Sequence, residues 1–217
     1  MRRRAVRPRS VLRSEPVSRK FGLDRGTAID RAWIESFLQS EAQRIRGSVL
    51  EIGDPGYTRR FGTAVTESHV LHATGESPDA TIVGDLATGE GVPEEAFDCI
   101  VLTQTLPFVY DVVGAVATCR RALRPGGAVL ATLPGISQIS RYDMDRWGDF
   151  WRFTDLSARR LFEAEFGEVT VRTHGCVGSA CAFLLGLAAE EVPSGLLAAV
   201  DPDYQVLITV VATSPAA

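Results

Sequence analysis

Three short runs of almost uninterrupted apolar residues constrain the fold of this 217-residue chain more than any other feature. They are SVLEIG from residue 48, FDCIVLTQTL from residue 97 and AVLATLPG from residue 128. None alternates polar with apolar residues, as a strand with one wet face would, so the runs predict parallel strands that are buried on both faces. Helical segments separate them, and strands that alternate with helices are typical of an α/β doubly wound, Rossmann-like sheet.

Apolar spacing and capping residues predict the elements around these strands. Helices are expected at residues 29–47, 108–123 and 154–167, and further strands at residues 69–73, 80–86, 168–174 and 204–214. We expect Asp30 and Thr154 to be N-caps, and Gly47 and Gly167 to follow the ends of their helices. The last strand is expected to run antiparallel in an otherwise mostly parallel sheet.

Charge is distributed unevenly along the chain. Residues 1–20 carry about +7, whereas the whole chain has a formal charge of −4, which leaves residues 21–217 near −11. The basic segment has no apolar h-region like that of a secretory signal and no aromatic residue among its arginines. We therefore expect a flexible arm at 1–20 and a single domain at 21–217. Nucleic-acid binding by the arm stays open as an alternative, although the acidic body disfavours phosphate contacts.

The length of the apolar runs and the spacing of the cysteines indicate in which compartment the protein is expected. No apolar run reaches the roughly 18 residues of a membrane span, so we expect none. The four cysteines form no CxxC pair and no zinc spacing, which favours free thiols in a reducing cytoplasm.

Chemically active residue types gather where the predicted strands end. Glu51 and Gly53 close the first strand, Asp85 and Leu86 follow the one at 80–86, and Thr103 and Gln104 lie near the end of the next. Ligands of doubly wound sheets bind at the carboxyl ends of the strands, beside the switch in strand order. The sequence therefore predicts one ligand site at this edge.

The spacing of VLEIG, VGDL, VPEEAFDCIVLTQTL and CRRALRPGGAVLATLPG resembles that of class I S-adenosylmethionine-dependent methyltransferases, over about residues 47–170. Within them it is similar to the small-molecule, type 11-like group. The resemblance implies S-adenosylmethionine as cofactor, with Asp85 accepting from the adenine amino group and Leu86 packing on the ring. The cofactor-binding residues that it implies are Glu51, Gly53, Asp54, Gly56, Tyr57, His72, Asp85, Leu86, Thr103 and Gln104.

Two positions depart from the family pattern. Pro55 replaces the middle glycine of the loop, so we expect the loop to shift and use Gly56, at positive φ, for close approach to the cofactor. The carboxylate that grips the ribose has no clear equivalent, and His72 lies closest to its place. An NAD site is disfavoured because G-x-G-x-x-G is absent. A cofactor-poor interaction module with the same fold therefore stays open as an alternative.

The segment at residues 134–154 combines aromatic, acidic and basic side chains just after the fifth expected strand. We expect Asp143, and second Asp149, as the catalytic base. Residues expected to bind substrate are Arg141, Tyr142 and Trp147 from this segment and Arg25 from a lid at 21–46, where Asp30 and Arg31 are further candidates. We expect no metal site, with Mg²⁺ on Asp143, Asp145 and Asp149 as the alternative.

These expectations define one function. The chain is expected to transfer a methyl group to a small polar acceptor, a hydroxyl of a sugar, glycan precursor or natural product, with oxygen favoured over nitrogen or carbon. A hydroxyl acceptor benefits from a nearby base. A homodimer is left open beside a monomer.

Overall fold

Seven strands form one mixed sheet in the computed structural model, which describes residues 13–216. They are β1 (Arg46–Ile52), β2 (Ala64–His72), β3 (Ile82–Val83), β4 (Phe97–Thr103), β5 (Leu123–Pro134), β6 (Glu168–His174) and β7 (Leu207–Thr213). Their order is β3-β2-β1-β4-β5-β7-β6. Strands β1 to β5 pair in parallel, and β7 is antiparallel to both β5 and β6. The predicted doubly wound sheet with an antiparallel C-terminal strand is confirmed.

Helices cover both faces of this sheet. They are α1 (Ile29–Ser40), α2 (Gly56–Phe61), α3 (Val112–Ala122), α4 (Arg141–Met144), α5 (Asp155–Glu163), α6 (Val177–Leu185) and α7 (Ser194–Ala198). In the part of the chain that the structure describes, no helix is long and apolar enough to cross a bilayer. The first twelve residues, which hold most of the expected basic arm, lie outside the described residues.

The central strands are buried because alternate side chains enter two different cores. Leu50 and Ile100 point to one face, where they pack with residues of α3 and α5. Val49, Val101 and Leu130 point to the other face, where they pack with α1 and α6. All five side chains are fully buried, as expected for strands that lack polar alternation.

The first helix differs from the expectation at both ends. It begins at Ile29, so Asp30 lies inside its first turn and is not the N-cap; its carboxylate accepts from the N–H of Arg31 at 2.8 Å. The helix ends at Ser40, and Gly47 lies in β1 with φ +67°. A Cβ at Gly47 would lie 2.2 Å from Oδ2 of Asp98, so this glycine serves strand packing and not helix termination.

Other helices and strands also begin or end at positions different from those expected, because turns and connections replace regular structure there. The strand expected at residues 80–86 is only two residues long, since Asp85 accepts from the N–H of Ala87 and begins a turn. Helices α6 and α7, in the β6–β7 connection, were not predicted at all. Helix α5 ends at Glu163, ahead of the expected Gly167.

The start of α5 was predicted correctly. The hydroxyl of Thr154 accepts from the N–H of Ser157 at 3.2 Å, and the hydroxyl of Ser157 accepts from the N–H of Thr154 at 2.9 Å. This reciprocal pair is a capping box, which satisfies two N–H groups at the helix start.

Replacing Thr154 by Ala should lower the free energy of unfolding by about 1 kcal/mol, because an N–H in the first turn of α5 loses its acceptor. Urea denaturation of the two proteins measures the difference. Arg159→Ala on the same helix is the control, since it removes only a solvent-exposed pair with Glu163 at 3.4 Å and should cost less than about 0.5 kcal/mol. Equal losses in both variants would contradict the capping role.

Candidate functional site

A cavity of about 620 Å³ opens at the carboxyl edge of the sheet. Glu51, His72, Thr103 and Pro134, which lie at the ends of β1, β2, β4 and β5, all line it. The wall is completed by the N-terminal segment before α1 and by the β5–α5 connection (residues 134–154). The cavity therefore lies where the sequence predicted the ligand site.

The loop from β1 into α2 is organised by the carboxylate of Glu51. This side chain is buried, and its two oxygens accept from the N–H groups of Tyr57 at 3.0 Å and Thr58 at 2.7 Å. Burial raises the pKa of Glu51, while the two N–H donors act in the opposite direction. Because both oxygens are occupied by the first turn of α2, Glu51 holds the loop in place.

Gly53, and not Gly56, supplies the special backbone conformation of this loop. Gly53 has φ +91°, and a Cβ built on it would meet no atom within 4 Å, because it projects into the cavity. Gly56 does not line the cavity, is not at positive φ, and starts α2 while its N–H donates to Asp54 at 2.9 Å. The expected shift to Gly56 is therefore wrong, since Pro55 directly precedes the helix and the turn has already been made at Gly53.

The end of β4 carries a strained residue that faces the cavity. Gln104 lies at φ +51°, a region that side chains rarely adopt outside glycine. Its Nε2 is buried and has no hydrogen-bond partner among residues 13–216. Buried polar groups normally have a partner, so this unpaired amide in a residue of the cavity wall is an exception that requires an explanation. Thr103 lies beside it in the wall.

The ends of β2 and β3 and the turn after β3 contribute His72, Asp85 and Leu86 to the cavity wall. Nδ1 of His72 lies 2.5 Å from the carbonyl oxygen and 3.1 Å from the backbone nitrogen of Thr74. Asp85 is exposed and uses one oxygen in its turn, at 2.7 Å from the N–H of Ala87, while Leu86 is buried beside it. An exposed carboxylate and an apolar side chain together suit a flat, nitrogen-bearing ring.

The β5–α5 connection lies over the cavity and is held by an ion pair. Both carboxylate oxygens of Asp149 accept from the guanidinium of Arg152, at 2.5 and 3.0 Å, and Oδ2 also accepts from the N–H of Ser140 at 2.9 Å. Burial opposes ionisation, but these hydrogen bonds outweigh it and the pKa of Asp149 lies below its usual value. Asp149 is thus a structural anion and a poor base, which corrects the expectation of a catalytic role.

Asp143 and Trp147 of the same connection line the cavity. Oδ2 of Asp143 accepts from the hydroxyl of Ser140 at 2.6 Å. The Trp147 ring meets the His72 ring nearly edge-on, with 5.7 Å between centroids. Trp147 therefore bridges the connection to the end of β2.

Three predicted substrate residues do not line the cavity. Arg141 and Tyr142, on α4, are exposed, and the guanidinium of Arg146 lies 3.6 Å from the centroid of the Tyr142 ring. Arg25 is engaged by both carboxylate oxygens of Glu191. The structure does not bring these residues to the cavity wall, because Arg141 and Tyr142 lie at exposed positions of a short helix and Arg25 is held by its ion pair.

Other wall residues were not predicted individually. They come from the N-terminal segment, from the turn after β4 and from the β5–α5 connection, and include Phe21, Leu23, Phe108, Tyr110, Phe150 and Arg152. Asp30 and Arg31, which were considered as lid residues, also line the cavity, and the Arg31 guanidinium donates to the Tyr57 hydroxyl. No spacing rule identifies these side chains, since they come from connections.

Carboxylates do not converge into a metal site in the described part of the chain. Across residues 13–216, no group of three or more His, Cys, Asp or Glu side chains is placed to hold a metal ion. Asp145 is exposed, and Asp149 is already paired with Arg152.

Comparisons with known proteins point to one family. A family model described as a methyltransferase domain matches residues 57–131, which include Asp85, Leu86, Thr103 and Gln104 but not Glu51 or Gly53. Among curated protein sequences, none matches this chain.

Solved structures share the fold at low sequence identity. A S-adenosylmethionine-dependent methyltransferase from Archaeoglobus fulgidus is 12% identical, with a TM-score of 0.54 over 85% of this chain and 94% of that one. One from Mesorhizobium loti is 16% identical, with a TM-score of 0.54 over 88% of this chain and 100% of that one. The [4+2]-cyclase SpnF is 16% identical, with a TM-score of 0.55 over 89% of this chain and 85% of that one. These likenesses show the fold.

Replacing Gly53 by Ala should weaken binding of S-adenosylmethionine about tenfold or more, because the added methyl enters the cavity and the left-handed backbone disfavours a side chain. Isothermal titration calorimetry measures the affinity. Gly126→Ala is the matched control, since Gly126 also has positive φ and no atom within 4 Å of a built Cβ but does not line the cavity, and it should bind nearly as the wild type does; Gly56→Ala is measured beside it to test the shifted loop. Loss of binding in Gly56→Ala but not in Gly53→Ala would contradict this assignment and would support the shifted loop that uses Gly56.

Proposed function

We propose that this chain, a class I S-adenosylmethionine-dependent methyltransferase, transfers a methyl group to a hydroxyl of a small polar acceptor, such as a sugar, a glycan precursor or a natural product. The family match and the strand order confirm the resemblance on which the cofactor rests. The acceptor and the choice of oxygen are our proposal.

The observation that carries the proposal is a single cavity with two chemically different sides. On the sheet side, the cavity wall contains Gly53, which has no side chain, and Gln104, whose buried amide nitrogen has no partner among residues 13–216. Both features fit the close approach of a polar cofactor. When bound, S-adenosylmethionine supplies an electrophilic methyl group on a sulfonium. The residues proposed to form its binding site are Asp54, Tyr57, His72, Asp85, Leu86, Thr103 and Gln104, with Gly53 leaving room for it and Glu51 holding the loop in place.

The opposite side of the cavity is suited to an acceptor. Phe108, Tyr110, Trp147 and Phe150 line it together with the carboxylate of Asp143. Aromatic faces with a few placed polar groups are typical of sites for ring-shaped polar molecules. We propose that Asp143 accepts a hydrogen bond from an acceptor hydroxyl, and that Trp147 packs against the acceptor or the cofactor.

The β5–α5 connection positions this acceptor side. Its Asp149–Arg152 pair, the bond from the N–H of Phe150 to Pro107 at 2.8 Å and the bond from Nε2 of Gln138 to Arg19 at 3.0 Å fix it over the strand ends. A connection held at several points can orient an acceptor, and correct orientation supplies much of the rate of a displacement at carbon.

A cofactor-poor function is the second candidate, because fold alone does not determine chemistry. A cyclase is among the proteins that share this fold. We also infer a cytoplasmic location, since all four cysteines are free thiols, and no nucleic-acid substrate, since the body is acidic.

Calorimetric titration of the full chain with S-adenosylmethionine separates these candidates before any acceptor is known. We expect saturable one-site binding, and competition by S-adenosylhomocysteine. Absence of heat at high protein concentration, with circular dichroism showing a folded protein, would favour the cofactor-poor function.

Replacing Asp85 by Ala should cost about 1–3 kcal/mol of S-adenosylmethionine binding, because the adenine amino group loses its proposed acceptor. The measurement is again calorimetric. Asp203→Ala is the control, since Asp203 lies in an exposed loop and is not part of the cavity wall. An Asp85 variant that binds as tightly as the control would remove Asp85 from the site.

A further inference from the structure

Asp30 is a cavity carboxylate with one oxygen that no other group uses. It lies in the first turn of α1, is partly buried, and lines the cavity. Oδ1 accepts from the N–H of Arg31 at 2.8 Å, whereas no hydrogen bond or ion pair from residues 13–216 reaches Oδ2. The Arg31 guanidinium is directed to the Tyr57 hydroxyl instead. Asp30 therefore presents a free acceptor to the cavity.

The other cavity carboxylates are less suited to taking up a proton. Glu51 gives both oxygens to the start of α2, and Asp149 gives both to Arg152. Asp143 also keeps one oxygen free of hydrogen bonds from residues 13–216, but its Oδ2 accepts from the hydroxyl of Ser140, the N-cap of the short, exposed helix α4, whereas Asp30 lies on the longer helix α1 that is packed into the core. The remaining two, Asp54 and Asp85, are exposed turn residues on the side proposed for the cofactor.

The surroundings of Asp30 make its carboxylate more basic than an ordinary one. Burial raises the pKa of Asp30, although the neighbouring Arg31 acts in the opposite direction. Helices α6 and α7 and strand β7 bring no charged side chain toward α1. The charged or titratable groups that line the same cavity are Arg31, Glu51, Asp54, Tyr57, His72, Asp85, Tyr110, Asp143, Asp149 and Arg152. At the segment before α1, Glu190 accepts from the N–H of Thr27, and Glu191 is paired with Arg25.

The backbone at Asp30 is held firmly. Ala28 pairs with Ala188 as an isolated β-bridge, Ile29 is fully buried, and Nε1 of Trp33 donates to the carbonyl of Leu197 at 3.0 Å. A carboxylate on the first turn of a helix that is fixed in this way keeps a constant position, as a proton acceptor in a displacement requires.

We propose that Asp30 is the general base of the methyl transfer, accepting the acceptor's hydroxyl proton at Oδ2. This inference rests on the proposed function. As the acceptor oxygen forms its bond to the methyl carbon, the electron pair of the carbon–sulfur bond remains on sulfur and the hydroxyl proton passes to Asp30. The product pair is a methyl ether and the neutral thioether. Asp143 then orients the acceptor and does not take its proton.

The test uses sinefungin, an analogue with a protonated amine at the position of the sulfonium methyl, beside S-adenosylhomocysteine, which has nothing there. A base close to the transferred methyl forms a charge-assisted hydrogen bond with that amine. Affinities of both compounds are measured by calorimetry for the wild type, Asp30→Asn, Asp30→Glu and Asp143→Asn. Glu35→Gln is the matched control, because Glu35 lies on the same helix outside the cavity, paired with Arg60 at 2.8 Å.

We expect Asp30→Asn to weaken sinefungin about tenfold or more relative to S-adenosylhomocysteine, which corresponds to loss of one strong hydrogen bond. Asp30→Glu should restore part of the preference, and Glu35→Gln should leave it unchanged. In the wild type, the ratio of the affinity for sinefungin to that for S-adenosylhomocysteine should fall as the pH drops through the raised pKa of Asp30, since the protonated carboxyl loses its charge. This pH dependence should be absent from Asp30→Asn.

Each contrary result has a distinct meaning. Equal loss of both compounds in Asp30→Asn would place Asp30 at the amino-acid end of the cofactor, and an unchanged preference would place it far from the methyl; either overturns the inference alone. A lost preference in Asp143→Asn but not in Asp30→Asn would assign the proton to Asp143. A wild type that binds neither compound would overturn the proposed function as well.

Discussion

The bond between the Glu51 carboxylate and the start of α2 determines the geometry of the candidate site. Glu51 ends a strand that is buried on both faces, where an unpaired carboxylate would cost several kcal/mol. Two N–H groups of α2 remove most of that cost, and they draw the helix to the end of β1. Only three residues then separate β1 from α2, so the chain must reverse sharply, and it does so at Gly53 with positive φ.

Throughout the cavity, some polar side chains are bonded to other protein groups, as Glu51 is, and others have no partner among the described residues. Asp149 and Arg152 satisfy each other and hold the β5–α5 connection, while Ser140 and Asp143 cap its short helix. Against this background, the amide of Gln104 and Oδ2 of Asp30 stand out because nothing in residues 13–216 bonds to them. Thr58 and Ser214 also have buried hydroxyls that are unpartnered in the described chain but lie outside the cavity wall, so it is the position of Gln104 and Asp30 in that wall that makes them candidate ligand contacts.

The sheet could be predicted from the sequence because its strands are defined by burial alone. Uninterrupted apolar runs indicated β1, β4 and β5, and Thr154 as a capping residue indicated the start of α5. Helix α1 was correct as an amphipathic stripe but not at its ends, since Asp30 bonds to its own neighbour. Periodicity reports which face is buried and carries less information about where a helix begins.

The site could be predicted only in part, for a related physical reason. Strand ends are placed by the sheet, so Glu51, Thr103 and Asp85 were expected at one edge and lie there. Which glycine takes positive φ depends on where α2 begins, and that is decided by a hydrogen bond between residues seven positions apart. Whether Asp149 is a base or a structural anion likewise depends on its pairing with Arg152, which no motif records.

The strand ends and the connections around the cavity carry different information about function. The family match covers residues 57–131, which form strand ends and turns around the cofactor side. The side proposed for the acceptor combines Phe108 and Tyr110, which lie within that match, with two connections outside it, residues 19–31 and 134–152, which are fixed by contacts such as the one from Gln138 to Arg19. Burial preserves strand ends in many sequences, whereas each pair of connections adopts its own set of polar contacts. Fold alone does not determine chemistry, so the sheet indicates where a ligand binds, and the acceptor must be established from the side chains that surround it.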